Sequence, residues 1–542
     1  MAVVNTRVEE LDFRPPGPGS WERERTHMPY RMSRHAAEVL ADAFWAGFTD
    51  SAARYGLLLE GIRMEVVNGW MYASLRPVGP DQFAARIEQA ARAFAERQWR
   101  ADLARWDEQD KPATLARHAE LVAVDPASLD DEALIAYLAD CAAHHAAMIT
   151  QHHVFTASCV IPVGELLANT AEWTGMTPND LLGLLSGLSP ASSGDCPELG
   201  ALVDALDADP GARALLQDSD LEPGLVLDQL AAAADPVGSA TRAWLDIAGH
   251  RLVDGFDVWF PTALEQPGHL VDTVRRALGR PPAPDPTAAV AAVRQLVPEE
   301  HRAEFDQIYA DVGAVYRLRD ERGLYSDLLA AGVMRRAMIG AGRKLAERGL
   351  LDSPGLAVEA SRHELASLLR TGEGPSSAEL SVRAASHLDD TGVPEHLGDP
   401  PSPPPPLEML PPPAARAMRA MMTAMGLLFA TAEADDPSVL RGIPGSPGFH
   451  AGKARVIRSP EDLSRLRSGD VLVTTCTSAA FNVALAEAGA VVTDHGGPLS
   501  HAAITAREFG IPSVVGTVHA TARITDGDSV AVDGNTGEVT IL

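Results

Sequence analysis

The sequence predicts a two-part protein in which a large, mostly α-helical domain is followed by a small α/β domain. Two observations support this prediction. Between residues 80 and 349, apolar residues recur at helical spacing. From Gly442 onward, strand-like and helix-like stretches alternate within roughly 100 residues. We place the helical domain at residues 1–435 and the α/β domain at residues 436–542.

In the N-terminal part, a strand-like patch at 64–75 contains Asn68-Gly69, which is typical of a tight turn. Helical patterns follow at 80–106 and at 128–155, and the second opens with a capping-box pattern at Ser128 and Asp131. Further helices are predicted at 178–187, 224–234, 238–249, 268–278, 298–313, 320–349 and 414–433.

A proline-rich stretch at 389–413 favours extended polyproline geometry. It is either a surface loop or a tether between parts that move.

The C-terminal part predicts strands in "GKARVIRS", "GDVLVTT", "AVVTD" and "PSVVG". Helices are predicted in "PEDLSRL", "SAAFNVALAEAG" and "SHAAITAREFG", and a terminal hairpin turns at Asp533-Gly534-Asn535. This alternation favours a compact α/β domain.

Composition excludes some classes of partner. The chain of 542 residues is 46% hydrophobic and carries a formal net charge of −29, which repels phosphate backbones and disfavours nucleic acid. Its four cysteines form no CxxC pair, so neither a disulfide framework nor a zinc knuckle is predicted. We expect no signal segment and no apolar run long enough to span a bilayer, and therefore a cytoplasmic protein without membrane partners.

The stretch "TDHGGPLSHAAITAREFGIPSVVGT" contains the strongest candidate for chemistry. Gly496 and Gly497 relax the backbone where a strand turns into a helix, and Ser500 lies near the helix N-cap. His501 falls in the first turn, where the helix dipole favours an anion and disfavours an imidazolium. A neutral imidazole there would act as a nucleophile, and the helix end would stabilise an added phosphoryl group. The alternative is a histidine that only hydrogen-bonds at a helix cap.

The same stretch resembles the phosphohistidine motif of the swivelling domain in phosphoenolpyruvate-utilising enzymes. The family pattern reads approximately GG-x-x-[ST]-H-x-A-I-x-A-R-E-x-G-I-P-x-V-x-G, and "GIPGSPGFHAGKARVI" upstream is similar to the start of that domain. The resemblance implies that His501 carries phosphate, with Ser500 and Thr505 beside it and Gly496-Gly497 as the phosphate loop. One departure is Ser478-Ala479-Ala480, where family members often have Asp-Pro.

The N-terminal part resembles the substrate-binding domain of rifampicin phosphotransferase-like proteins, on "PPGPGSWERERTHMPYRMSR" and on residues 316–365. An acceptor site needs cations for the phosphoryl group and a base for the acceptor hydroxyl. The candidate cations are Arg319, Arg322, Arg335 and Arg336; the alternative is that they belong to solvated helix surface. The candidate pocket residues are Trp21, Asn68 and Tyr72; the alternative is that they pack in the core.

The candidate bases are histidines in "HHAAMITQHH". His145 and His152 lie two helical turns apart and so share one helix face. Acceptor binding or catalysis, metal ligation and an ordinary helix face all remain open for them. Because the HExxH spacing is absent, we predict no metal site on this chain.

Complete members of the family load the histidine from an ATP-grasp domain. Only Lys111 and Lys344 lie before residue 435, and no GxxxxGK[ST] loop occurs, so we find no candidate for that domain here. The resemblance to phenylphosphate synthase implies that ATP and Mg²⁺ bind a separate ATP-grasp subunit. His501 would then pass phosphate to a small alcohol or phenol. One alternative is a non-catalytic binding or regulatory protein. The other is direct use of phosphoenolpyruvate, which we expect less because the chain ends just after the α/β domain.

Overall fold

A computed structural model of the chain describes residues 11–253, 255–279, 285–401, 406–432, 440–458, 460–477, 481, 485 and 487–542. The α-helices are α1 (Arg34–Arg54), α2 (Phe83–Glu96), α3 (Gln98–Arg105), α4 (Lys111–Val122), α5 (Asp131–Val154), α6 (Thr156–Thr174), α7 (Pro197–Ala208), α8 (Pro210–Gln217), α9 (Pro223–Ala232), α10 (Val237–Ala248), α11 (Pro267–Gly279), α12 (Thr287–Leu296), α13 (Arg302–Val315), α14 (Leu318–Arg322), α15 (Leu328–Glu347), α16 (Arg362–Thr371), α17 (Ser377–Ala385), α18 (Pro412–Phe429), α19 (His501–Phe509) and α20 (Ala520–Arg523).

The strands are β1 (Ser20–Arg23), β2 (Leu59–Val67), β3 (Trp70–Pro77), β4 (His396–Gly398), β5 (Leu440–Arg441), β6 (Ile443–Ser446), β7 (Phe449–Val456), β8 (Val471–Thr474), β9 (Ala490–Thr493), β10 (Ser513–Val515), β11 (Ser529–Asp533) and β12 (Glu538–Ile541). Short 3₁₀ segments include Pro178–Leu185 and Pro460–Arg465, and Trp106–Asp110 and Gly323–Asp327 are π-helical turns. The large helical part followed by an α/β part confirms the predicted fold class.

The chain divides into two compact units. The first contains residues 1–158, 250–262 and 321–417, and the second contains residues 159–249, 263–320 and 418–542. Each unit is thus built from three separate segments. The domain boundary near residue 435 stays a prediction, because the α/β residues share a unit with helical segments rather than forming one alone.

The first unit contains a four-stranded antiparallel sheet in the order β2-β3-β1-β4. The predicted turn joins β2 to β3, with Asn68 at φ 54° and Gly69 at φ 92°. Two successive positive φ angles are what a tight two-residue hairpin requires, and Asn-Gly tolerates them best. The hairpin prediction is therefore confirmed.

Two helical predictions in this unit need correction. The helix expected over 80–106 is broken at Arg97, which has φ 52° and ends α2 before α3 begins. Helix α5 is capped by Asp130, whose side chain accepts from the backbone N–H of Ala133. The predicted cap residue Ser128 instead donates its hydroxyl to the carbonyl of Asp125. Aspartate caps a helix as well as serine does, so the residue types alone did not show whether position 128 or position 130 would be the cap.

The second unit contains an eight-stranded mixed sheet in the order β5-β12-β11-β7-β8-β9-β10-β6. Strands β7, β8, β9 and β10 are parallel neighbours, and the remaining pairs are antiparallel. The predicted strands and the terminal hairpin are all present. Most of the helix predicted in "SAAFNVALAEAG" lies outside the described residues, as do residues 402–405 of the proline-rich stretch.

Among the described residues of the second unit, two hydrophobic cores position the α/β segment. Valines of β8, β9, β10, β11 and β12 form the core of the sheet. A separate core contains Leu181, Leu185 and Tyr316 from the helical segments together with Leu499 and Ile504 from the predicted phosphohistidine stretch. The start of α19 is therefore held by a helical bundle as well as by the sheet.

One helical stretch, Asp131–Thr174, is long and apolar enough to cross a membrane by length and composition. The expectation of no membrane-spanning apolar run is therefore not met by length and composition alone. However, 83% of its most apolar window is buried inside the protein, as in the core helix of a folded domain. The cytoplasmic location stays a prediction.

Candidate active site around His501

The topology of the second unit positions His501. Strands β8 and β9 are parallel neighbours, so their carboxyl ends meet at one edge of the sheet, where α/β proteins bind ligands. Thr477 follows β8, and the loop after β9 leads into α19, which begins at His501. The two side chains meet there, with Thr477 Oγ1 2.9 Å from Nδ1 of His501.

The loop before His501 depends on its two glycines. Gly496 has φ 90°, and an added Cβ would lie 2.7 Å from the Cβ of Ser500. A Cβ on Gly497 would lie 2.2 Å from the carbonyl oxygen of Leu427. The backbone N–H of Gly497 donates to Leu428 at 2.8 Å, so the loop lies against the end of α18. A side chain at either glycine would displace the start of α19.

The first turn of α19 presents hydroxyl groups around the imidazole. Thr505 Oγ1 lies 3.4 Å from Nε2 of His501, in a long contact one turn along the helix. Ser500 occupies the N-cap position, but its side chain makes no capping hydrogen bond. Its Oγ is buried without a partner among the residues that the structure describes, and only 8% of the residue is exposed. A buried hydroxyl left over in this way is available to a ligand oxygen.

The pKa of His501 is lowered to about 4, chiefly by burial; Asp320 opposes this shift, and the positive charge of Arg319 contributes to it. The ring is therefore neutral at pH 7. If Nδ1 donates its proton to Thr477, the lone pair lies on Nε2, which is then the nucleophilic atom. This is the state that the position at a helix N-terminus predicts.

Charged side chains from the helical segments of the second unit lie beside this turn. Arg319 donates from Nη2 to the carbonyl of Leu499 at 2.8 Å, and its Nη1 lies 3.4 Å from Asp320. Asp320 also accepts a 2.5 Å hydrogen bond from the fully buried Ser189. Of the predicted cations, Arg319 thus joins His501, Ser500, Thr505 and the two glycines in one place.

The other predicted cations bind elsewhere, in the first unit. Arg322 donates to the carbonyl of His152 and to Thr156, both at 2.7 Å. Arg335 donates to the carbonyls of Val258 and Trp259. Arg336 donates to Tyr137 and to the carbonyl of Val124. These contacts satisfy backbone and hydroxyl oxygens, and an acceptor-site role for the three arginines stays a prediction.

The predicted histidines are also in the first unit. His145 Nδ1 lies 3.0 Å from Nε2 of His35, and burial lowers the pKa of His145 to about 4. His152 Nδ1 lies 3.0 Å from Asp327, a carboxyl whose pKa burial raises to about 7. The structure therefore pairs each histidine with a different residue instead of joining the two, and their role as bases stays a prediction.

The three remaining pocket candidates also lie in the first unit. Trp21 is almost fully buried and donates to the carbonyl of Gly17, and Tyr72 donates to Pro394 at 2.7 Å. Asn68 forms the hairpin turn and donates to Asp12. Within the described ranges, no cluster of three histidine, cysteine, aspartate or glutamate side chains has the geometry of a metal site.

Sequence reasoning missed Thr477, Asp320 and Ser189. Thr477 directly precedes Ser478-Ala479-Ala480, the departure that the sequence analysis noted and that falls outside the described residues. Asp320 follows Arg319 in the chain, so a search for an opposite charge beside each candidate cation would have found it. Nothing in the sequence distinguishes Ser189 from other serines.

Comparison with known proteins supports the predicted family resemblance. Residues 466–537 match the family model for the PEP-utilising enzyme mobile domain, and residues 152–340 match the model for the rifampicin phosphotransferase fourth domain. The predicted resemblance to phosphoenolpyruvate-utilising enzymes is confirmed. The pair of matches is consistent with the rifampicin phosphotransferase branch, and the first match includes the whole loop and helix around His501.

Individual relatives show the same family resemblance. The chain is 30% identical over 242 residues to the uncharacterized phosphotransferase YvkC of Bacillus subtilis, which is 44% of this chain and 27% of the relative. It is 31% identical over 342 residues to the uncharacterized protein Rv2047c of Mycobacterium tuberculosis, covering 63% and 35%. A probable phosphoenolpyruvate synthase of Archaeoglobus fulgidus is 47% identical over 107 residues, covering 20% and 14%. The chain thus spans about a third or less of these relatives' lengths.

Proposed function

We propose that this chain is a phosphotransferase component in which His501 carries a phosphoryl group from ATP to a small hydroxylated acceptor. ATP and Mg²⁺ would bind a separate ATP-grasp subunit, where Mg²⁺ shields the phosphate charges. The proposal is supported by the similarity of the mobile-domain segment to phosphoenolpyruvate-utilising enzymes and by the name of a related phosphotransferase.

The observation that carries the proposal is the state of His501 at the start of α19. The ring is neutral at pH 7, and where Nδ1 donates to Thr477 the lone pair lies on Nε2. The N-terminus of a nine-residue helix would stabilise the oxygens of an attached phosphoryl group, and so would the hydroxyl of Ser500, which has no partner among the described residues. The nucleophilic nitrogen of His501 thus lies next to groups that can stabilise phosphoryl oxygens.

The family resemblance implies that ATP, water and the acceptor give AMP, phosphate and the phosphorylated acceptor. First, Nε2 of His501 forms a bond to the β-phosphorus of ATP, the α–β phosphoanhydride P–O bond breaks, and its electron pair leaves with AMP. Water then breaks the β–γ bond, which releases the terminal group as inorganic phosphate. Then the acceptor oxygen forms a bond to phosphorus, the P–N bond breaks, and its electron pair returns to Nε2. The proton of the acceptor hydroxyl passes to a base, for which His145 and His152 remain the proposed candidates.

The proposal is tested by incubating the chain with a purified ATP-grasp subunit and ATP labelled in its phosphates. We expect an acid-labile, alkali-stable label on the wild type and on the control His519→Gln, which changes an exposed histidine of the same unit. The variant His501→Gln should carry none. An active ATP-grasp subunit that leaves His501 unlabelled would overturn the proposal and favour a non-catalytic binding or regulatory protein.

The acceptor step has its own measurement. The labelled chain, freed from nucleotide, is mixed with phenol as the probe acceptor, and the release of labelled small molecule is followed. Transfer of label to phenol faster than to water supports a hydroxylated acceptor. Release as inorganic phosphate alone, across a series of alcohols and phenols, would contradict that part of the proposal.

A further inference from the structure

Two opposite charges lie beside His501 in the second unit. Arg319 is fixed by its 2.8 Å hydrogen bond to the carbonyl of Leu499, two residues before His501. Asp320 follows in the chain, lies 3.4 Å from Nη1 of Arg319 and accepts a 2.5 Å hydrogen bond from Ser189. Both charges therefore have defined positions within the helical segment that packs on α19.

Two further charged side chains near this turn, Arg507 and Glu508, have partners of their own. Arg507 donates to the carbonyls of Gly445 and Pro498, and Glu508 accepts from the backbone N–H of Gly187. Burial raises the pKa of the Tyr316 hydroxyl, so this group stays neutral. Asp320 and Arg319 are the charges whose fields on His501 oppose each other, one favouring and one disfavouring a cationic ring.

A phosphohistidine discharges most readily when its ring is protonated, because a neutral imidazole is then the leaving group. With phosphorus on Nε2, the ring proton binds Nδ1, the atom that contacts Thr477, and this N–H can donate a hydrogen bond to the threonine hydroxyl. On discharge the P–N bond breaks, its electron pair stays on Nε2, and the oxygen of water or the acceptor binds phosphorus. A carboxylate close to the ring therefore promotes discharge, and a nearby guanidinium opposes it.

We propose that Asp320 is a positioning residue that favours the ring-protonated form of phosphorylated His501, and that Arg319 opposes it, so that this pair sets the pH range of discharge. The inference rests on the proposed function, because it assigns a role in the release of the phosphoryl group. The new element is that release of the phosphoryl group is governed by charges on α14, which lies outside the segment at 466–537 that matches the mobile domain.

The experiment needs no partner subunit. Potassium phosphoramidate phosphorylates histidine by exchange of one P–N bond for another with loss of ammonia. The full chain is loaded with it, and the decay of the His501 signal is followed by ³¹P NMR between pH 4 and pH 9, with His501→Gln identifying signals of other histidines. We expect Asp320→Asn to move the midpoint of the discharge profile down by about one pH unit, and Arg319→Gln to move it up by about as much.

Matched variants separate charge from structure. Asp320→Glu and Arg319→Lys keep the charges and should keep the wild-type midpoint. Asp306→Asn removes an exposed carboxylate of α13 that pairs with Arg294, and it should also leave the midpoint unchanged. Circular dichroism of each variant confirms folding, and ¹³C-detected titration of the unphosphorylated His501 ring should show shifts of the same two signs.

Two results would overturn the inference: equal midpoints for wild type, Asp320→Asn and Arg319→Gln, or shifts of both variants in the same direction. These outcomes are distinct from failure of the proposed function. If labelled ATP and the ATP-grasp subunit never load His501 but the opposite shifts occur, the function fails and the electrostatic role of Asp320 stands.

Discussion

Thr477 acts on His501 through a single hydrogen bond. Its Oγ1 lies 2.9 Å from Nδ1, and where Nδ1 donates to this hydroxyl the lone pair stays on Nε2. Loss of one such bond costs about 1 kcal/mol, so we expect Thr477→Val to slow phosphorylation of His501 about five-fold, whereas Thr477→Ser retains the rate. The rate of loading by phosphoramidate measures this. An unchanged rate in Thr477→Val would show that the threonine has no part in orienting the ring.

Gly496 carries a second prediction at the residue scale. Gly496→Ala would force a positive φ and a 2.7 Å contact with Ser500, so we expect the free energy of unfolding to fall by about 2–3 kcal/mol. Gly510→Ala is the matched control, because Gly510 also has a positive φ but no atom within 4 Å of an added Cβ. The control should cost about 1 kcal/mol. Equal losses in urea unfolding would exclude the steric part of the argument.

At the scale of elements, the cap of α5 tests a correction that the structure makes. Asp130, and not Ser128, caps the first turn. Asp130→Ala should lower the free energy of unfolding by about 1 kcal/mol, whereas Ser128→Ala should have a smaller effect, because Ser128 bonds only the carbonyl of Asp125. Urea unfolding of the two variants at pH 7 decides the question. A larger loss for Ser128→Ala would restore the capping box.

Elements with a strong local signal were predictable from the sequence. The Asn68-Gly69 hairpin, the terminal hairpin and the strand–loop–helix around His501 each depend on residues adjacent in the chain, and the structure shows all three. The break at Arg97 was not predictable, because arginine favours a continuous helix and a positive φ there reflects tertiary packing. The pairing of Asp320 with Ser189 joins residues 131 positions apart, which local patterns do not encode.

The same reasoning explains the distribution of the predicted cations. The spacing of residues in the sequence does not show which of the four candidate arginines lies at the phosphoryl site: Arg319, Arg322, Arg335 or Arg336. The structure directs Arg319 to the loop before His501 and the other three to backbone carbonyls and hydroxyls of the first unit. Which oxygen each guanidinium finds depends on the packing of helices distant in the chain.

For the whole molecule, buried histidines predict a loss of stability in acid. Burial lowers the pKa of six histidines in the first unit: His35, His118, His144, His145, His153 and His250. The unfolded chain binds protons at these positions from about pH 6.5 downward, whereas the folded chain resists them until about pH 4 or below. Their contribution to stability is therefore present above pH 6.5 and is lost as the pH falls.

Groups with raised pKa values act in the opposite direction: Asp110, Asp246, Asp257, Asp327, Asp494 and His387. They are fewer than the histidines with lowered pKa values, which also include His269 and His501 of the second unit. We expect the free energy of unfolding to be at least about 2 kcal/mol lower at pH 5 than at pH 7. Urea unfolding at the two pH values measures it, and His145→Gln should reduce the difference while the exposed His519→Gln should not. Equal or greater stability at pH 5 would contradict the expected neutral state of these histidines.

The central claim is that Nε2 of His501 takes up and releases a phosphoryl group. The most direct measurement is ¹H–¹⁵N–³¹P NMR of the phosphoramidate-loaded chain at alkaline pH, which identifies the nitrogen that bears phosphorus. The account predicts a phosphoryl group on Nε2 of His501 that is absent from His501→Gln and that disappears on acidification. Phosphorus on Nδ1, or an unreactive His501 beside labelled histidines elsewhere, would contradict it.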